Sequence, residues 1–301
     1  MKFKTKVFLA PMAEINDSAF RILCSNYGAG LTYTEMISCA ALIRGNANTL
    51  KLFDIQKCEK PIAIQLFGTK IDEIKKAVKV VQDKVDIIDF NMGCPMSKIV
   101  DAGAGSALLK DPEKVREIVR TLVKNSKKPV SIKIRSGWDK NNINAVEIAK
   151  IIEEEGASMI TIHARTRSQV RSGDSDWDLI KKVKDAVNIP VIGNGDISSP
   201  KDVDRMITES GCDYVMIGRE AIKNPYIFRQ CVDYFKKGSY DESNKVEIVS
   251  EYLKLAKKYD IKFSYIKNHV VQFTKGLKNS ARLREEINKT KKIEEIKKIE
   301  I

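Results

Sequence analysis

The sequence predicts an α/β architecture, a (β/α)8 TIM barrel followed by a small all-helical C-terminal domain, and three observations carry it. Eight short β-rich apolar runs recur up to Ile217, helical patterns separate most of them at the length of a βα repeat, and no such run occurs from Tyr226 onward. Eight parallel strands can close on themselves and lose their edges, which favours a barrel over an open doubly wound sheet. The expected division is residues 1–225 for a catalytic barrel and 226–301 for a helical domain.

The predicted strands are Val7 to Leu9, Leu31 to Tyr33, Pro61 to Gln65, Ile87 to Asn91, Val130 to Ile134, Met159 to His163, Val191 to Gly193 and Tyr214 to Ile217. Helix signals lie between them. Asp111-Pro112-Glu113 and Ser199-Pro200-Lys201-Asp202 each place an N-cap before a first-turn proline, and Gly156 follows Glu147 to Glu155 as a C-cap. Beyond Asn224-Pro225 the stretches Val246 to Tyr259, Ile261 to Lys275 and Arg282 to the end read as helices, the tail Lys289 to Ile301 as a solvated amphipathic one.

A chain of 301 residues with 43% apolar content can bury a substantial core. No run approaches the ~20 apolar residues of a membrane span, and Val7 to Leu9 is too short for a signal-peptide core, so a cytoplasmic protein is expected. The six cysteines are dispersed without a C-x-x-C pair, and there is no H-E-x-x-H or carboxylate–histidine cluster, so neither disulfides nor a metal site is expected. The net charge of +13 is concentrated: Lys254 to Lys292 holds 12 Lys or Arg against 3 Asp or Glu. That balance points to a polyanionic partner.

In a barrel the functional residues belong at strand C-termini. There the sequence places Gln65, Asn91 and Cys94, Lys133 and Arg135, His163 and Arg165, Gly193-Asn194-Gly195-Asp196, and Gly218-Arg219. Strand alternation sets Ser131, Lys133 and Arg135 on one face, so Lys133 points into the barrel mouth. A buried ammonium requires an anion, either an internal carboxylate such as Asp89 or a negative ligand; a reduced flavin also accounts for the amide of Gln65. The glycine turns after the last two strands, with Arg219, suit phosphate. His163, followed by Arg165 and Arg167, fits a place near phosphate or base. Cys94, held by Gly93 and Pro95, has a thiol of ordinary pKa near ~8.5, able to deliver a proton as a general acid.

The sequence Asn91-Met92-Gly93-Cys94-Pro95, with Ala10-Pro11-Met12-Ala13 before it and Gly193-Asn194-Gly195-Asp196 after it, resembles the tRNA-dihydrouridine synthases over nearly the whole chain. The resemblance implies FMN, reduced by NADPH or NADH, and the C5–C6 double bond of tRNA uridine as substrate. It assigns Pro11, Met12, Ala13, Gln65, Lys133, His163, Asn194, Gly195, Asp196, Gly218 and Arg219 to FMN, and Cys94 to the protonation of C5 after hydride reaches C6. Asn91 resembles the amide that orients the substrate, and Lys98, Arg165 and Arg167 belong to segments beside it. Lys267, His269 and Lys275 resemble the helical domain that grips tRNA, and Arg282 and Arg284 extend its basic face. No G-x-G-x-x-G fingerprint occurs, as expected for a nicotinamide that binds only transiently.

Three other readings compete. An FMN barrel of the dihydroorotate dehydrogenase kind explains the cysteine but leaves the basic helical segment without a purpose. A redox-silent RNA-binding barrel has no need of Cys94, Lys133 and Gln65. A phosphate-binding lyase or isomerase lacks an obvious pair of carboxylate bases.

Overall fold

The computed structural model describes residues 2–300. Its strands are β1 (Val7–Leu9), β2 (Thr32–Ser38), β3 (Ile62–Phe67), β4 (Ile87–Met92), β5 (Val130–Arg135), β6 (Met159–His163), β7 (Val191–Asn194) and β8 (Tyr214–Ile217). They form one parallel sheet in the order β1-β8-β7-β6-β5-β4-β3-β2. Its ends meet at a bridge between Phe8 and Leu31, where Leu9 N donates to Leu31 O at 2.9 Å, so the (β/α)8 barrel is nearly closed. Each predicted run lies at one of these strands. The largest difference is β2, which runs on to Ser38 through a register shift between Tyr33 and Met36. Polar Thr34 and Glu35 sit at that bulge and interrupt the apolar pattern that marks a strand.

The helices that follow the strands ring the barrel, and both N-caps that the sequence signals are formed. Asp111 accepts from Lys114 N at 2.9 Å to start Pro112–Asn125, and Ser199 accepts from Asp202 N at 3.3 Å to start Pro200–Ser210. The helix Ile227–Lys237, on the far side of residue 225, packs against Pro200–Ser210. It also closes on Gly28, where an added Cβ would meet Val232 Cγ2 at 2.9 Å, so this helix takes the eighth place in the ring.

Helices Lys245–Lys258, Phe263–Phe273, Ser280–Lys289 and Ile293–Ile296 complete the chain. The single helix expected from Arg282 to the end is broken at Thr290. Thr290 Oγ1 donates back to Ile287 O at 2.6 Å, and Lys267 Nζ reaches Asn288 O at 3.1 Å and Thr290 O at 3.5 Å. Carbonyls at a helix end thus find partners outside the helix. Ile287 and Ile296 are buried, so the tail folds onto the core and is not a solvated helix. No described helix is long and apolar enough to cross a membrane.

One core lies between sheet and helices. A second fills the amino-terminal part of the barrel with Phe8, Tyr33, Ala63, Ile87, Met159, Ile192 and Met216, each large side chain worth ~1.5–3 kcal/mol on burial. Phe3 and Tyr214 pack on Phe8 at ring separations of 4.7 Å and plug that end. Only the carboxyl end of the barrel is left for chemistry.

Candidate active site

Along four strands the inward row changes from apolar to polar toward that end: Ile87, Asp89, Asn91 in β4; Met159, Thr161, His163 in β6; Ile192, Asn194 in β7; Ala63, Gln65 in β3. β5 supplies Ser131, Lys133 and Arg135. Register aligns Gln65 with Asp89 and Asp89 with Ser131, and one step higher Asn91 with Lys133 and Lys133 with Thr161.

The turn after β4 is held from several sides. Asn91 Oδ1 accepts from Gly93 N at 3.1 Å and Cys94 N at 2.8 Å, while its Nδ2 donates to Gln65 Oε1 at 3.0 Å. Both ends of the Asn91 amide are therefore committed within the protein. Ser106 N and Oγ donate to Cys94 O at 3.0 and 2.9 Å, and Gly105, at φ +60°, brings its backbone so close that a Cβ would meet Cys94 O at 2.7 Å. Cys94 itself is 7% exposed. Burial pushes its thiol above the ordinary value, with Met96 N–H, Arg135 and Lys133 offsetting part of the rise. At neutral pH it holds its proton.

Lys133 is half-buried and donates to Asn194 Oδ1 at 3.1 Å; it forms no salt bridge with Asp89. Burial, then Arg135, lowers its pKa to about 8, against the opposing pull of Asp89. Gln65 is wholly buried and donates to Asp89 Oδ2 at 2.6 Å. His163 is half-buried among Lys133, Arg135, Arg165 and Arg219, and burial followed by these charges holds it well below the usual imidazole range. It is therefore neutral, able to accept or donate one hydrogen bond.

The ends of β6, β7 and β8 meet at Asp196. Arg165 donates to both its oxygens at 2.6 Å, Ser175 N to Oδ2 at 2.8 Å and Arg219 to Oδ1 at 2.9 Å. Burial raises Asp196, but the Arg165 hydrogen bonds and the Ser175 N–H outweigh it and hold the carboxyl below the usual range. Arg165 is buried, with Gly173 O and Ser175 Oγ as further partners, so it braces the loop from inside. Gly195 has φ +132°, and an added Cβ would lie 2.1 Å from Ser175 Oγ and 3.3 Å from His163. Gly218 faces Ala10 and Met12; Pro11 and Met12 are half-buried and Ala13 exposed at the same rim.

The remaining sequence-derived residues fall into two groups. Lys98, Lys275 and Arg282 are exposed and Arg284 is half-buried on the surface; Arg167 lies over the Trp138 ring at 4.6 Å, with Lys110 at 3.4 Å from that ring. Lys267 instead caps the helix end near Thr290, and His269 is fully buried, its Nε2 2.8 Å from Ile15 O and 3.0 Å from Asp17. These two face the protein, and the expected outward contacts from them give way to internal ones.

Sequence reasoning left Arg135 without a role. It is buried, donates to Gly93 O at 2.9 Å, Thr166 O at 2.8 Å and Val170 O at 2.9 Å, and ties the Cys94 turn to the loop after β6. Its place on the inward face of β5 was the available signal. Among the described residues no group of His, Cys, Asp and Glu could hold a metal ion.

The sequence model described as Dihydrouridine synthase (Dus) matches residues 8–300. Over 240 residues the chain is 42% identical to "tRNA-dihydrouridine synthase B" of Pasteurella multocida (strain Pm70), covering 79% of this chain and 72% of that protein. It is 38% identical to "Probable tRNA-dihydrouridine synthase" of Aquifex aeolicus (strain VF5), covering 100% of this chain and 99% of that protein. Among solved structures, histamine dehydrogenase from Rhizobium sp. 4-9 superposes with a TM-score of 0.58 at 14% identity, over 84% of this chain. The chain spans about half of that protein, 49%, and the likeness is one of fold. With the family model matched over nearly its full length, this chain belongs to the dihydrouridine synthase family of enzymes.

Proposed function

We propose that this enzyme reduces particular uridines of tRNA to 5,6-dihydrouridine, with FMN as its cofactor and Cys94 as its acid. The observation that carries the reading is the buried thiol of Cys94 on the turn after β4, its pKa raised by that burial, beside the inward Lys133. The names of the relatives supply the substrate class.

The mouth fits a flavin mononucleotide. Lys133 has no carboxylate within salt-bridge reach, and the backbone at Gly195 occupies space that a side chain would fill. Lys133 and the Pro11-Met12-Ala13 segment would hold the ring, with the expected contact from Gln65 giving way to its internal bonds with Asp89 and Asn91; His163, the Asn194-Gly195-Asp196 turn, Gly218 and Arg219 would hold the phosphate end. FMN, recharged by NADPH or NADH, supplies the hydride to C6 when bound. Cys94 donates its Sγ proton to C5, and the thiolate left behind is stabilised by the nearby charges of Arg135 and Lys133. The helices from Lys245 onward form the RNA-gripping part, with Lys275, Arg282 and Arg284 outward. Extruding a base costs a few kcal/mol, which phosphate contacts offset.

The test is to mix the purified protein with unmodified tRNA and NADPH without air and count dihydrouridine by nucleoside mass spectrometry. Product that vanishes in Cys94→Ala is expected. No product from a flavin-bearing protein that is bleached by NADPH would overturn the tRNA reading and favour a free pyrimidine of the dihydroorotate kind.

A further inference from the structure

Beneath the mouth lies a carboxylate that the mechanism above does not use. Asp89 is fully buried in the barrel. Its Oδ2 accepts from Gln65, while its Oδ1 completes no hydrogen bond, and neither do Tyr33 OH, Ser131 Oγ and Thr161 Oγ1 on neighbouring strands. An ionised carboxylate in such a place is costly, and the nearest cation, Lys133, is bonded to Asn194 instead.

The cost has a structural return. Ionised Asp89 can only accept, so the Gln65 amide must turn its NH2 toward it, across 2.6 Å. That leaves Gln65 Oε1 for the NH2 of Asn91 at 3.0 Å, and Asn91 Oδ1 for the N–H groups of Gly93 and Cys94 at 3.1 and 2.8 Å. Every link is an amide that could be reversed, and the sense is held from both ends, by the N–H groups of Gly93 and Cys94 at the turn and by the carboxylate at the buried end. With Gln65 reversed, its oxygen would face a carboxylate and its NH2 would face that of Asn91. With Asn91 reversed in turn, its NH2 would face two N–H donors and the turn would lose both bonds.

We propose that Asp89 is a positioning residue for the reaction: its carboxylate, acting through Gln65 and Asn91, fixes the Cys94 turn, and protonation of Asp89 releases it. The inference rests on the reading of Cys94 as the acid. Burial raises the Asp89 pKa to about 6, with Gln65, Ser131 and Lys133 offsetting part of the rise. The charged and titratable groups that face it are Lys133 from β5 and Tyr33 from β2; β3 and β6 present the neutral Gln65 and Thr161. Below pH 6 a proton on Asp89 Oδ2 turns that oxygen from acceptor to donor toward Gln65, which sets the buried end against the sense that the turn requires.

The test follows the backbone of Cys94 directly, in full-length protein carrying 15N-cysteine, with the Cys94 amide signal identified by its loss in Cys94→Ser. The signal is expected to shift between pH 5 and 8 with a midpoint near 6 in the wild type, and to stay still in Asp89→Asn. Gln65→Met, which cuts the series and leaves Asp89 in place, is expected to abolish the shift as well, so the outcome does not hang on one variant's folding. In parallel, single-turnover uridine reduction by prereduced enzyme is expected to fall about tenfold per pH unit below 6 in the wild type alone. A wild-type Cys94 signal that does not move, or that moves equally in Gln65→Met, overturns the inference. A titrating signal in a protein that reduces no uridine would leave the inference standing and overturn the reaction assigned above.

Discussion

His269 and Asp17 meet at 3.0 Å in a contact closed to solvent, joining the helix Phe263–Phe273 to the segment after β1. Asp17 caps Ser18–Asn26 through Phe20 N at 2.9 Å and accepts from Tyr252 OH at 3.1 Å, while the His269 ring stacks on Phe20 at 4.5 Å. The same imidazole nitrogen lies 2.8 Å from Ile15 O, three residues from Met12 at the mouth rim. His269→Ala removes a packed ring and leaves Asp17 and Ile15 O short of a partner, so a loss of about 3 kcal/mol in urea unfolding is expected. His269→Gln, which can still donate, is expected to lose less.

Thiol chemistry separates Cys94 from Cys58. Cys94 is buried and its pKa is raised by that burial, whereas Cys58 is exposed. Thiolate is the nucleophile, so iodoacetamide at pH 7 is expected to label the Cys58 peptide first, with Cys94 lagging at least tenfold by peptide mass spectrometry. Preferential labelling of Cys94 would mean a stabilised thiolate there, and would contradict the proposed role of proton donor at neutral pH.

Gly195→Ala tests the turn after β7. The new Cβ would meet Ser175 Oγ at 2.1 Å and Ser175 Cβ at 2.9 Å, at a φ of +132° that side chains rarely adopt. A stability loss of about 1–3 kcal/mol is expected, along with weaker retention of flavin, read from absorbance after gel filtration. Adding Ser175→Gly relieves the clash but not the backbone strain, so only partial recovery is expected. Full recovery would show that contact alone requires glycine here.

The barrel was legible in the sequence because its strands are near-continuous apolar runs and its caps are local. The inward position of Lys133 followed from simple alternation with Ile132 and Ile134. What escaped was anything set by partners distant in sequence. Lys267 and His269 sit in a basic stretch and read as surface residues, yet Asn288, Thr290, Ile15 and Asp17 draw them inward. Asn91 reads as a free amide until Gln65 and the N–H groups of its own turn are placed around it. Asp89 reads as a candidate ion-pair partner for Lys133, and only the three-dimensional register sets it against Gln65.

The same contrast yields a test on the basic segment. Lys267 is bonded to carbonyls at the end of Ser280–Lys289, while Lys275 and Arg282 are exposed, Arg282 with only the surface carboxylate of Glu286 at 3.6 Å. Exposed pairs of this kind contribute about 0–1 kcal/mol, so Arg282 is nearly free to meet a phosphate. Lys275→Ala with Arg282→Ala is therefore expected to leave unfolding almost unchanged and to lower both tRNA affinity and the steepness of its salt dependence, the slope falling by about one for each phosphate no longer neutralised. Lys267→Ala is expected to do the reverse, lowering stability by about 1 kcal/mol with little change in the salt slope. Measuring affinity at several salt concentrations beside urea unfolding separates the two, because a phosphate partner appears in the slope and a helix cap in the unfolding midpoint. A salt slope that fell with Lys267→Ala and not with the double variant would move the RNA-facing side of this segment from Lys275 and Arg282 to the neighbourhood of Lys267.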